Sequence, residues 1–128
     1  MPLGTSPNPK RSSDSLMAAD ANSQMLKGIL QGCLLILLAR KEQYGYAISE
    51  SLDLFGFGDV PKGTIYPLLM TMEKKGLLVS HMRPSPDGPQ RKYYAVTPLG
   101  ETARQTFMVQ WSELKDHVEQ LIADRPEK

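Results

Sequence analysis

The sequence predicts a mainly α fold of the α+β kind, with three helices, a two-stranded β-ribbon and a long C-terminal helix. Three observations carry that expectation. Apolar residues recur at helical spacing in four separate stretches. Two short runs, LLVSHMR and QRKYYAV, are rich in β-branched and aromatic residues and flank the turn-forming segment PSPDGP. At 128 residues the chain is long enough for one modest core and too short for two.

The elements follow in order. Residues 1–24 are rich in Ser, Pro, Asn and Ala without sustained apolar periodicity, and are expected to form a flexible tail. They also lack the apolar core of a secretion signal. Residues 25–40 predict a helix that is apolar almost all round, with Leu26, Ile29, Leu30, Cys33, Leu34, Leu35, Ile36, Leu37 and Leu38. Such a helix must be covered on more than one side. Its second cover is either another subunit, which makes Leu30 and Leu34 dimerisation candidates, or the rest of its own chain. The apolar run at 32–39 is too short to span a bilayer, so a cytoplasmic protein with no membrane partner is expected.

Residues 41–43 are a polar break, and 44–54 read as a second helix with Ile48 and Leu52 on one face. A Gly-rich loop, 55–60, leads to a third helix over 61–75, opened by Pro61, where a missing N–H costs nothing. Pro67 is expected to distort its early turns. Ile65, Leu68, Leu69 and Met72 form its buried stripe, and Gly76 closes it. The ribbon, 77–96, comes next. Thr97-Pro98 then reads as an N-cap followed by Pro at the first helical position. The last helix, to about 124, places apolar residues at 99, 103, 107, 111, 114, 118 and 121. Its final steps alternate three and four, the seam of a coiled coil. Phe107, Trp111, Leu114, Val118 and Leu121 are therefore dimerisation candidates. The expected organisation is a tail (1–24), a winged helix-turn-helix (25–96) and a dimerisation helix (97–124).

Net charge is only +1, but its distribution is uneven. Between 62 and 92 six cations stand against two carboxylates, and between 98 and 124 five carboxylates stand against two cations. Segregation of this kind suits a basic contact face for double-stranded DNA, although solvated surface charge also segregates by chance. One cysteine, Cys33, excludes an internal disulfide and a thiolate cluster, and in its apolar run it reads as a small hydrophobe. His81 and His117 are isolated, so no metal site is expected. No catalytic constellation or cofactor motif stands out, and no enzyme is expected.

The block Gly63-Thr64-Ile65-Tyr66-Pro67-Leu68-Leu69, then Glu73, Gly76-Leu77, Arg91-Lys92-Tyr93-Tyr94, Thr97 and Gly100, closely resembles the PadR family of bacterial winged-helix transcriptional regulators. YGYAISESL upstream resembles the family's second-helix motif, and the likeness runs from about 25 to 121, with the single C-terminal helix of the shorter members. The resemblance implies a homodimer. Each third helix would enter a major groove, and each wing would lie along the flanking minor groove or phosphates. The C-terminal helices would pair with the partner's first helix. It further implies repression of transcription and, in some members, release from DNA by a small aromatic effector.

On that footing the N-terminal residues of the third helix sit nearest the base edges. Lys62 suits a phosphate or a guanine edge, Gly63 permits close approach, and Thr64 can bond a base or touch a thymine methyl. Tyr66 matches the family tyrosine at the DNA surface, or else is a half-buried tyrosine with its hydroxyl satisfied. Arg83, Arg91 and Lys92 on the wing suit phosphates, though adjacent strand residues point to opposite faces, so at most one of the last two faces DNA squarely. Tyr46 suits either a phosphate or the core. Lys74 and Lys75 suit the helix dipole as well as DNA. Trp111 either packs the dimer seam or stacks a planar ligand.

Overall fold

The computed structural model describes residues 11–58 and 60–123, with side chains from Met25 onward. Helix α1 spans Arg11–Arg40, strand β1 Gln43–Tyr44, helix α2 Gly45–Leu54, helix α3 Lys62–Lys74, strands β2 and β3 Leu78–Pro84 and Gln90–Val96, and helix α4 Pro98–Ile122. Two compact units divide the chain, Met1–Leu30 and Gln31–Lys128. Helices α2, α3 and α4 and the sheet all lie in the second unit.

Three differences from expectation have physical causes. The first helix begins at Arg11 rather than near 25, which replaces the expected tail over 11–24; residues 1–10 of that tail lie outside the described residues. Ala18, Ala19 and Ala21 are strong helix formers, and extending a helix needs no second nucleus. The sheet has three strands in the order β1-β3-β2, not two. Gln43 pairs with Tyr94 and Tyr44 with Tyr93, so Tyr44 closes a strand instead of opening α2. The free edge of β3 offers unpaired backbone groups, and two residues of the passing chain satisfy them. Finally, α3 continues through Pro67. Near a helix N-terminus, proline removes only the donor that would serve the Gly63 carbonyl.

Leu34, Leu35, Ile48, Ile65, Leu69 and Met72 form the centre of the core, each at most 1% exposed. Leu30 and Leu34, candidates for a dimer surface, are 1% and 0% exposed in the single chain. The stripe read from α3 holds for Ile65, Leu69 and Met72, while Leu68 is half-buried.

The link between α3 and α4 explains part of the sequence block. Gly76 adopts a φ of 81°, which suits glycine, and ends α3. Its N–H donates to the Glu73 carbonyl, and the Leu77 N–H donates to that of Met72, both at 3.0 Å, the paired closure of a Schellman motif. Thr97 joins both helices. Its hydroxyl donates to the Gly76 carbonyl at 2.6 Å and accepts from the Gly100 N–H at 3.0 Å. Gly100 is buried, and any Cβ there would collide with the Leu77 carbonyl oxygen. Thr97 and Gly100 thus let two backbones cross closely.

Candidate nucleic-acid interface

Helix α3 and the sheet meet along a groove of about 430 Å³ lined by Tyr44, Gly45, Tyr46, Tyr66, Met70, Arg91, Lys92 and Tyr94. Four of the expected contact residues, Tyr46, Tyr66, Arg91 and Lys92, therefore share one surface. Gly45 makes the groove possible, because a Cβ there would press on the Tyr66 ring. Tyr46 and Tyr66 are 45% and 40% exposed, so both reach the surface.

Arg91 and Lys92 do point to opposite faces of β3, as alternation requires. Arg91 stands opposite Arg83, and Lys92 opposite Met82. Both nevertheless line the groove, because β1 pairs only as far as Tyr93 and leaves the edge beyond it open. Arg83 does not reach the groove. It shares the face of Arg91 but lies over the Tyr93 ring, 4.5 Å from the centroid. At the entrance of α3, Lys62 lies over the Tyr46 ring at 4.6 Å and makes no ion pair among the described residues. Gly63 is exposed and Thr64 is half-buried, so Thr64 presents only part of its side chain.

Every candidate cation rests on a tyrosine: Arg91 lies over Tyr44 at 4.7 Å and Lys92 over Tyr94 at 5.4 Å. Such contacts hold the long cations against the ring faces. The wing cations also have carboxylate partners that sequence reasoning missed. Arg83 pairs with Glu42, which also meets His81 Nε2 at 2.9 Å; Arg91 pairs with Asp87 at 2.9 Å; Lys92 pairs with Glu73 at 3.3 Å. Asp87, four residues before Arg91, was open to a spacing argument. Glu42, forty-one residues before Arg83, left no local signal.

The titration behaviour matches this geometry. Glu73 is held below its ordinary range, first by the hydrogen bond from the Ser80 hydroxyl and then by Lys92. Lys92 is raised in turn, chiefly by its hydrogen bond to Glu73. The Tyr46 phenol is raised, first by the charge of Glu50 and then by a hydrogen bond to it, so the hydroxyl keeps its proton. Each pair is partly open to solvent, where water screens ion pairs strongly.

Along α4 the side chains face solvent. Trp111 is 42% exposed, Leu114 54%, Val118 45% and Leu121 80%. Phe107 is half-buried, its ring set where a Cβ on Gly32 would otherwise fall. Among the described residues no group of three His, Cys, Asp or Glu side chains is placed to hold a metal ion, and no helix is long and apolar enough to cross a membrane.

A helix-turn-helix whose second helix lies exposed beside a cationic, tyrosine-lined ribbon defines a winged-helix DNA-binding regulator. Residues 34–106 match the transcriptional regulator PadR-like family. The chain belongs to that family of transcriptional regulators, which are not enzymes. It is 40% identical to a crystallised PadR-like transcriptional regulator from Bacillus cereus, covering 77% of this chain and 96% of that one with a TM-score of 0.71. A PadR family transcriptional regulator from Eggerthella lenta is 29% identical, covering 87% and 96% with a TM-score of 0.75. A transcriptional regulator of Mycobacterium tuberculosis is 40% identical over 65 residues, 51% of this chain and 59% of that protein.

Proposed function

We propose that the protein is a homodimeric cytoplasmic repressor that binds an inverted-repeat operator through the helix at 61–75 and the wing at 77–96. The observation that carries this reading is the groove, which gathers Tyr46, Tyr66, Arg91 and Lys92 beside Lys62, a cation with no ion pair among the described residues. In this reading Lys62, Gly63 and Thr64 approach base edges. The groove side chains and Arg83 meet phosphates, exchanging their carboxylate partners for the nucleic-acid backbone. The exposed seam of Trp111, Leu114, Val118 and Leu121, with Phe107 at its inner end, supplies the dimer contact. Two-fold symmetry then spaces the half-sites about one helical turn apart.

Gel shift on the DNA upstream of the protein's own gene, at two salt concentrations, tests the proposal. A specific complex that weakens with salt is expected. The absence of any complex at low salt would favour a second reading, a winged-helix interaction module without DNA binding. On that side stands the fact that Arg83, Arg91 and Lys92 each already have an internal carboxylate. Trp111 is also the place where a planar aromatic effector would stack in the dimer. Tryptophan fluorescence during titration with aromatic cations tests this, and no response across a broad panel removes the effector from the proposal.

A further inference from the structure

Helix α3 carries a single carboxylate, Glu73, on the element proposed to meet a polyanion. An acid there opposes the phosphate backbone unless something holds it. The structure holds it twice. Glu73 Oε2 accepts from the Ser80 hydroxyl at 2.5 Å, and Oε1 pairs with Lys92 Nζ at 3.3 Å. Ser80 lies on β2 and Lys92 on β3, so one side chain near the end of α3 reaches both strands of the wing.

The turn after α3 and the strand register bring these groups together. Gly76, at a φ of 81°, ends the helix, and the chain returns to set Ser80 against Glu73, seven residues before it. Alternation puts Leu78, Ser80 and Met82 on one face of β2, where Ser80 stands opposite Tyr94 and Met82 opposite Lys92. Lys92 in turn lies over Tyr94 at 5.4 Å. The two holds differ in kind. Lys92 lines the groove, where a phosphate competes for its ammonium, whereas Ser80 is not among the groove residues.

We propose that Glu73 is a positioning residue for DNA recognition: Ser80 keeps it fastened to the wing when Lys92 passes to a phosphate, so that α3 and the ribbon meet the duplex at a fixed separation. This deepens the DNA-binding reading above and rests on it. Without the Ser80 bond, α3 loses its polar tie to β2 and the carboxylate is free to follow Lys92 toward the nucleic acid. Base readout from the start of α3 needs helix and wing in place together, while attraction to the backbone does not. Loss of the tie therefore falls on specific binding, and loss of the carboxylate's charge falls on all binding.

The test measures the affinity of the full-length protein for two duplexes of equal length at low salt. One is the fragment it retains from the DNA upstream of its own gene, and the other has a random sequence. Ser80→Ala should weaken specific binding about tenfold, the size of one charged hydrogen bond, and random-sequence binding by less than about twofold. Ser80→Thr keeps the hydroxyl and should restore the specific affinity. Glu73→Gln still accepts from Ser80 but no longer pairs with the ammonium, and should strengthen both affinities about two- to fivefold, the range of an exposed ion pair. Circular dichroism checks that each variant is folded. Equal losses on both duplexes in Ser80→Ala, no rescue by Ser80→Thr, or a Glu73→Gln variant that loses specificity as Ser80→Ala does would each overturn the proposal. If the unaltered protein retains no DNA, the DNA-binding reading fails and takes this one with it. Specific retention that is indifferent to Ser80 overturns the positioning role alone.

Discussion

Helix α3 buries Ile65, Leu69 and Met72 in its own chain, whereas the longer α4 buries only Gly100. Both carry an apolar stripe at helical spacing. The stripe of α3 meets α2 and the sheet; that of α4 leaves Met108, Trp111, Leu114, Val118 and Leu121 open to solvent. Isolated surface hydrophobes need no explanation, but a continuous stripe along several turns does. One helix is completed within its own chain, and the other leaves its apolar stripe uncovered. Periodicity reports that a face is apolar and does not report which molecule covers it.

The largest effects should separate the two helices. Leu114→Asp should leave the monomer's circular dichroism intact and weaken self-association by about 3 kcal/mol or more, since it puts an unpaired charge in the proposed seam. Sedimentation across a concentration series reads this directly, and unchanged association would remove α4 from the dimer contact. Leu69→Ala should do the reverse, lowering unfolding free energy by about 3 kcal/mol in denaturant titrations. Gly100→Ala should cost about 1–3 kcal/mol, because the added methyl meets the Leu77 carbonyl. Helix propensity alone predicts a gain of about 1 kcal/mol for the same change, so the sign decides whether the close crossing matters.

Smaller effects belong to the groove. Arg91→Ala should weaken DNA binding at every sequence and flatten the salt dependence by roughly 0.9 in log–log slope. Asp87→Asn should strengthen binding by removing the internal competitor for Arg91. The same Asp87 result in the absence of any DNA complex would be impossible, so the pair tests the interface as a unit. The smallest effect is on pH dependence. Glu73 is depressed in the folded chain, so its stabilisation is present above its ordinary 4.5 and is lost as pH falls through the lowered value. Ser80→Ala removes the main cause, so Glu73 should titrate nearer 4.5 and the acid-side loss of stability should become shallower. Carboxyl NMR titration of both proteins checks it.

Much of this was legible in the residues. Helix α3, the ribbon and the Thr97 cap were readable because periodicity and turn chemistry are local. The positions of Tyr46, Tyr66, Arg91 and Lys92 were readable from the motif, but their gathering into one groove depends on Gly45 and on the open edge of β3. Strand β1 was not readable, since two residues cannot display an alternation. Nor were the Glu42–Arg83 pair and the crossing of Gly100 over Leu77, which join parts of the chain far apart in sequence. Glycine at 100 looked like a motif letter, and only the backbone approach gives it a cause.

The short strand at Gln43–Tyr44 also divides the molecule into places that tolerate length changes and places that do not. One residue inserted between Gln43 and Tyr44 would shift Tyr44 out of its pairing with Tyr93 and take its ring from beneath Arg91. The ribbon tip at 85–89 is held by backbone bonds across its own turn and by the Asp87–Arg91 pair, and has no such register to keep. A peptide tag or fluorophore-bearing loop spliced there should be accepted, whereas one added residue within β1 should not.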